Sequence, residues 1–486
     1  MFSQGRSERR GFPTRRRWSF SSSRALGAIG WTALALGAAR YRSFANREIL
    51  DRWSPGYTAL LLLLVAVAVW AWTGALRKVA SEVHQVLLRW AILFGGLGYL
   101  WASEQSPKAP AQMLDLNLFG SAGAVSALLQ WLSLSCLFAS AAARIRDIRH
   151  DRWKQAAVVA ASICTALVLA EGVARIRVAL APSTQGFPTY SQQAWLNRYA
   201  AMNREGFRDD SLSSAPPLEK RRLLVIGDSV AFGFGLERLE QRFGEQLALR
   251  LAERTAQPWE SLTAAAPDTH TLDHIRFLEK CRSFQPDVIV LLYGLNDVDY
   301  LYDITRRLGP LQQRFSPVRL AFLNSYLFQE AYARFRAFEW LQERRQGSHG
   351  EPVPEELMTG HLGDLKKFVA AARASACVVG VTIHGWLALG SPEIRRRFDQ
   401  FYERAAAAGL PVWPMTAAFA KERYEDLIVN GLDHHPNAYA NRIAAEATAK
   451  RTFEELRSQS SCPGSAAGRR ELGDHRLFPL PERLQL

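Results

Sequence analysis

Two regimes of apolar patterning divide this 486-residue chain. Up to Glu171, apolar runs at Ala25–Ala39, Gly56–Leu76, Trp90–Ala102, Leu118–Ala143 and Gln155–Ala170 alternate with arginine-rich segments. Gly56–Leu76 holds an uncharged run of about 20 residues, enough to cross a bilayer core. Five such runs in one stretch predict an all-α transmembrane region over residues 25–171. Beyond residue 221 the period shortens. Leu223–Ile226, Ser261–Ala265, Val288–Tyr293, Val378–Ile383 and Pro411–Met415 are short apolar runs with strand character. Between and after them, Gln241–Arg254, Leu272–Cys281, Leu362–Ala374, Glu393–Ala408 and Ala438–Leu456 carry helical periodicity. Strands alternating with helices predict an α/β domain, a parallel five-stranded sheet with helices on both faces.

Charge sharpens the division. The net charge is +14 and the pI about 9.8. Met1–Glu171 carries 20 Lys/Arg against 9 Asp/Glu, so the basicity belongs to the N-terminal part and the α/β half is nearly neutral. A nucleic-acid partner is therefore not expected. Arginines crowd residues 6–24 and the connection from Arg144 to Lys154. By the positive-inside rule both face the cytoplasm. Five spans then place everything after Glu171 on the extracytoplasmic side of a bacterial-type inner membrane. The loop holding Arg40, Arg42, Arg47 and Arg52 fits that orientation badly.

The organisation expected is a basic cytoplasmic tail (1–24), the multi-pass transmembrane region (25–171), a juxtamembrane connector (172–221), the α/β domain (222–457) and a polar tail (458–486). Residues 299–360 interrupt the βα rhythm and read as a helical insertion above the strand ends, where open sheets bind ligands. Five cysteines form no dense framework. Cys281 and Cys377, each beside a predicted strand, are consistent either with a disulfide or with two buried thiols.

Three blocks carry the chemistry. Gly227-Asp228-Ser229-Val230 follows the first apolar strand of the α/β domain. A serine there, among small residues, can be held exposed and rigid. Gly294-Leu295-Asn296-Asp297 follows the strand Val288–Tyr293, and Asp433-His434-His435-Pro436-Asn437 precedes the last helix. Taken in this order, the blocks resemble the SGNH/GDSL hydrolase family over roughly Arg222–Leu456. Membrane-attached members often carry a segment similar to Asn203-Arg204-Glu205-Gly206-Phe207-Arg208-Asp209. Two readings of that segment stand, a surface turn around Gly206 or a lip on the active site.

The resemblance implies an SGNH-type, flavodoxin-like three-layer sandwich and serine chemistry. Ser229 is the implied nucleophile, His435 its base and Asp433 the group orienting the imidazole. His434 reads as solvent-facing. The backbone N–H of Ser229 and the side-chain amide of Asn296 would bind the oxyanion. Asp228 and Asp297, with Gly294, are expected to support the loops. Two departures from the family pattern matter. The usual last block is Asp-x-x-His, whereas here the spacing is Asp433-x-His435 and Leu432 holds the usual acid position. The family's glycine block aligns with Thr263–Thr269, and Asp268 takes the glycine position. A backbone N–H survives there, but the carboxylate would oppose a developing anion, or Asp268 would cap the helix that follows.

No Walker-type loop and no Cys/His metal spacing occurs in the sequence, and no cofactor or metal is expected. His361 and His384 stand alone and read as structural. The leading expectation is a membrane-anchored serine esterase acting on acyl or acetyl esters of extracytoplasmic lipid or cell-envelope carbohydrate. An O-acyltransferase on exopolysaccharide or peptidoglycan would use the same acyl-enzyme and would need a membrane acyl-donor partner. A catalytically weak glycan-binding scaffold is the third reading.

Overall fold

A computed structural model of the chain describes residues 20–40, 55–75, 83–105, 124–145, 151–186, 189–210, 220–294, 311, 316–345, 355–390 and 392–458. Two compact units result: residues 1–181 with 311–329, and residues 182–310 with 330–486.

The first unit is helical: α1 (Phe20–Arg40), α2 (Pro55–Ala75), α3 (Val83–Gln105), α4 (Ala124–Ile145) and α5 (Asp151–Leu180). By length and composition, Val83–Trp101 and Asp151–Leu180 are able to cross a membrane, and shorter apolar stretches lie at Arg24–Ala39, Leu61–Ala71 and Leu128–Ala143. Glycine sets the α1–α3 crossing. A Cβ on Gly96 would stand 2.0 Å from the Gly30 carbonyl oxygen. Hydroxyls tie α4 to α3, Ser133 Oγ to Ala91 O at 2.6 Å and Ser140 Oγ to His84 O at 2.7 Å. Near the end of α5, the Glu171 carboxylate accepts from Ser325 Oγ (2.8 Å) and from the N–H groups of Tyr326 (2.9 Å) and Leu327 (3.0 Å). Arg175 bridges it at 2.7 Å and donates to Asn324 O at 3.0 Å. These bonds explain why Leu311–Gln329, expected with the insertion above the strand ends, joins the helical unit.

The second unit is α/β. It runs α6 (Tyr190–Tyr199), β1 (Arg221–Gly227), α7 (Ser229–Phe232), α8 (Phe243–Thr255), β2 (Trp259–Ala265), α9 (Thr271–Lys280) and β3 (Val288–Tyr293). After the insertion helices α10 (Pro317–Asn324) and α11 (Tyr326–Arg345) come α12 (Glu355–Arg373), β4 (Val378–Ile383), α13 (Pro392–Ala407) and α14 (Ala438–Ser458). The described sheet is parallel, in the order β2-β1-β3-β4. Strand periodicity sends Leu223 and Val225 to a core with α8 and α14, and Leu224 and Ile226 to a core with α9, α12 and α13. Both faces of β1 and β3 are therefore apolar, as a buried parallel strand requires.

The fifth strand expected at Pro411–Met415 is not formed. Val412 makes a single bridge to Val381, with Val381 N–H to Pro411 O and Trp413 N–H to Val381 O, both at 2.9 Å. Pro414 has no N–H to continue the ladder, so pairing stops after one step. Neither cysteine reading holds as a pair. Cys281 is a buried free thiol, its pKa pushed up by burial to about 12, whereas Cys377 is disulfide-bonded.

Candidate active site

The order of the strands reverses between β1 and β3, and the ends of those two strands flank the point where open α/β sheets bind ligands. Gly227 closes β1 in register with Leu292 and Ala265. A Cβ on Gly227 would lie 2.6 Å from Leu292 O and 2.7 Å from Ala231 Cβ, so the turn into α7 is tight enough to require glycine. Asp228, buried, caps α7 by accepting the Val230 N–H at 2.9 Å. Ser229 is the first residue of α7 and half-buried. Among the described residues its N–H meets no acceptor.

The last block lies on the loop before α14. Asn430 Oδ1 accepts the N–H groups of Leu432 and Asp433, both at 2.9 Å. His435 O accepts Val429 N–H at 2.9 Å. The loop presents His435 Nε2 to Ser229 Oγ at 2.8 Å, and His435 Nδ1 to Asp433 Oδ1 at 2.5 Å. The shortened Asp-x-His spacing works because one carboxylate oxygen serves twice. Asp433 Oδ1 also accepts the backbone N–H of His435 at 3.1 Å, folding the three residues into a turn. Phe234 packs against the imidazole, with ring centroids 5.0 Å apart.

Burial and charge oppose each other at this pair. Burial favours neutral His435, but the Asp433 carboxylate outweighs it, with smaller help from Asp228 and Asp268, and the pKa rises above its ordinary value. Burial of Asp433 favours its acid form, but His435 reverses that and holds the carboxyl below the usual range. The buried Thr184 hydroxyl faces the same carboxylate and adds to the effect.

Asp268 is exposed and sits at φ +58°, the left-handed region that glycine adopts freely. The backbone at the family's glycine position is therefore kept although the residue is not. Asp268 does not cap α9. The N-cap is His270, whose N–H donates to Asp273 Oδ2 at 3.3 Å. His434 is half-buried rather than solvent-facing, with Tyr424 OH 2.9 Å from its Nδ1 and its carbonyl accepting Trp386 Nε1–H at 2.9 Å. Gly294 directly follows β3 and is half-buried; Asn296 and Asp297 lie outside the described residues. His361 bonds to Tyr293 OH, and buried His384 lies 3.1 Å from Asn441 Oδ1 through Nε2. Both contacts are within the fold.

Thr184, Asn430 and Phe234 escaped the sequence reading. Thr184 lies in the connector, nearly 250 residues from the carboxylate it serves, and no local pattern marks it. Asn430 carries a weak signal, an Asx residue three before an acid in a glycine-containing loop.

The geometry can move a proton from a serine hydroxyl to an imidazole whose other nitrogen is held by a carboxylate. A model of the GDSL-like Lipase/Acylhydrolase family matches residues 225–443. Among solved structures, a G-D-S-L family lipolytic protein from Veillonella parvula aligns at 14% identity over 47% of this chain and 97% of its own, with a TM-score of 0.28. A lipase/acylhydrolase from Enterococcus faecalis aligns at 13% identity over 48% of this chain and 96% of its own, with a TM-score of 0.30. The lipase Lip_vut3 from a goat rumen metagenome aligns at 14% identity over 48% of this chain and 97% of its own, also at 0.30. No curated protein matches the chain.

Proposed function

We propose, from the match of residues 225–443 to the GDSL-like lipase/acylhydrolase family, that the protein is a membrane-anchored serine esterase working on the extracytoplasmic side of a bacterial-type inner membrane. One observation carries the reading: Ser229 Oγ, His435 Nε2, His435 Nδ1 and Asp433 Oδ1 form one hydrogen-bonded line, with steps of 2.8 and 2.5 Å at its two contacts.

Ser229 Oγ attacks the ester carbonyl carbon while His435 Nε2 takes its proton. His435 then carries a positive charge, which Asp433 stabilises through Nδ1–H without itself being protonated. The oxyanion is met by the N–H of Ser229, with the N–H of Asp268 and the amide of Asn296 as further donors. Each such donor is worth about 2.7–4 kcal/mol in the transition state. Collapse expels the alcohol, which takes the proton from His435 and leaves an acyl-Ser229 ester. Water, deprotonated by His435, then hydrolyses that ester and frees the acid.

Membrane anchorage draws support from α5. Only 17% of its apolar window is buried by protein, and Val158, Ile163, Leu167 and Val173 are exposed on it. Lipid is the natural cover for such a helix. The disulfide at Cys377 favours an oxidising compartment for the hydrolase unit. The substrates proposed are acyl or acetyl esters of lipid or cell-envelope carbohydrate.

The test uses the full chain in detergent. It should hydrolyse p-nitrophenyl acetate, and Ser229→Ala should reduce turnover to background. Retained turnover in that variant refutes the nucleophile. Acyl transfer to an added sugar that outruns hydrolysis redirects the reading to an acyltransferase. A reporter active only outside the cytoplasm, fused after Ser458, should be active.

A further inference from the structure

The segment Asn203–Asp209 forms neither a surface turn alone nor a lip. Gly206 does turn the chain, at φ +83°. Around it, Asn203 N–H donates to Phe207 O at 2.8 Å, and Asn203 Oδ1 accepts Phe207 N–H at 3.0 Å. The next residues then go inward. Phe207 is 2% exposed and packs edge-on against Phe277, and Arg208 is 1% exposed. Arg208 finds no carboxylate at hydrogen-bond distance among the described residues. It spends its donors on four backbone carbonyls: Nε to Tyr199 (3.0 Å), Nη1 to Phe232 (3.3 Å) and Gly233 (2.7 Å), and Nη2 to Leu236 (2.6 Å). Three of these close the turn that follows the proposed nucleophile.

We propose that Gly206–Asp209 is a positioning strap for Ser229 and for the strand leading to Asp268, with Arg208 as its principal residue. The need is physical. The helix α7 is a single turn, and one turn neither satisfies its own C-terminal carbonyls nor nucleates by itself. Asp228 caps its front, and Arg208 holds its back through Phe232 O and Gly233 O. Gly233 N–H and Phe234 N–H, both at 3.1 Å from acceptors in α7, lock onto Val230 O and Ser229 O respectively. A donor fork on Gly233 therefore fixes the backbone of Ser229 from behind. Arg242, itself fully buried, donates to Arg208 O and packs its side chain beneath Gly233.

The strap also reaches the other oxyanion donor. Asp209 Oδ2 accepts the backbone N–H of Thr263 on β2 at 2.8 Å and pairs with Arg242 at 3.1 Å. Thr263 lies two residues before the end of β2, from which the chain runs into the turn carrying Asp268. Two successive side chains, Arg208 and Asp209, thus tie the two elements whose N–H groups are assigned to the oxyanion under the proposed function to one short piece of backbone. Lysine cannot replace this arginine, since a point-like ammonium does not span the fork.

The inference rests on Ser229 being the nucleophile, and the experiment separates the two. Full-length Arg208→Lys, Arg208→Met and Asp209→Ala are compared with Ser229→Ala in detergent, using p-nitrophenyl acetate and fluorophosphonate titration of reactive serine. The expected result is a fall in kcat per titratable site of about 10²-fold, the usual effect of an ångström-scale misplacement, with KM within threefold of wild type. Arg208→Lys should recover at most a tenth of wild-type kcat per site. A merely structural role would lower the number of titratable sites and leave kcat per site unchanged, which overturns the proposal. So does wild-type kcat per site in Asp209→Ala together with aggregation of both Arg208 variants. Activity surviving in Ser229→Ala sinks the nucleophile instead.

Discussion

Acidification should destabilise the hydrolase unit through two buried histidines that take no part in the Ser229–His435–Asp433 line. His274 is 0% and His384 1% exposed. Burial pushes their pKa values down to about 4 and about 3, only partly offset by Asp273 in the first case and by the bond to Asn441 in the second. The unfolded value is about 6.5. Each folded-state pKa is thus depressed, and below pH 6.5 the unfolded chain binds protons that the native state refuses. Stability consequently falls as pH drops from about 6.5 towards the folded values, and rises again with pH. Between pH 7 and pH 5 each histidine removes about 2 kcal/mol, and the two together about 4 kcal/mol, a large share of a marginal folding free energy. His435 acts in the opposite sense. Its raised pKa contributes stability that is present below about 6.5 and lost as pH climbs through the folded value. Comparison with His384→Gln cancels that and every other group. Hydrogen exchange on β3 of the full chain, corrected for intrinsic rates, gives the opening free energy at pH 7, 6 and 5. The wild-type loss between pH 7 and 5 should exceed that of His384→Gln by about 2 kcal/mol. Superimposable pH dependences would show that His384 is not held neutral and would refute the reasoning.

Three further outcomes are expected. Since only neutral His435 accepts a proton, kcat/KM should rise with pH through a midpoint above about 6.5; Asp433→Asn should move that midpoint down and lower kcat by about 10⁴-fold, so an unmoved midpoint counts against the pairing. Asp268→Gly removes a charge that raises the His435 pKa and suits φ +58°, so the acid limb of the pH–rate profile should shift down while the thermal midpoint holds or rises; an unshifted limb rejects the electrostatic contact. Gly96→Val would drive a side chain into the Gly30 carbonyl and should cost the detergent-solubilised chain several degrees of thermal midpoint, whereas an unchanged midpoint would mean that α1 and α3 do not cross there.

Much of the architecture was legible because it depends on local period. Four apolar strands and the helices between them follow from alternation along the chain, and β1 and β3 read as buried because both of their faces are apolar. Pro411–Met415 misled for a physical reason, since apolar content suggested a strand but the proline at 414 removes a ladder donor. Ser229, His435 and Asp433 could be picked out by their blocks, yet the economy of Asp433 Oδ1, which serves both the backbone N–H and the ring Nδ1 of residue 435, was not visible in a spacing that looked one residue short. Arg208 was seen and its role missed, since three of its four partners lie 24 to 28 residues onward, and all four are backbone carbonyls, which have no sequence identity to read. The same holds for Thr184, whose nearness to Asp433 is set by tertiary packing. Asp268 was read as a chemical liability, and only its backbone angle explains how a non-glycine fills the place.

The carboxylate at Glu171 sets an order of events during biosynthesis. Its acceptor sites are filled by Ser325, Tyr326 and Leu327, and the last of these is 156 residues downstream. At ribosomal speeds of about 5–20 residues per second, that is a delay of roughly 8–30 s. Throughout it, Arg175 is already at hand one helical turn away, while the remaining lone pairs are left to solvent. A chain stalled or cleaved before residue 325 would therefore leave the Glu171–Arg175 pair half-solvated, without the donors that complete it.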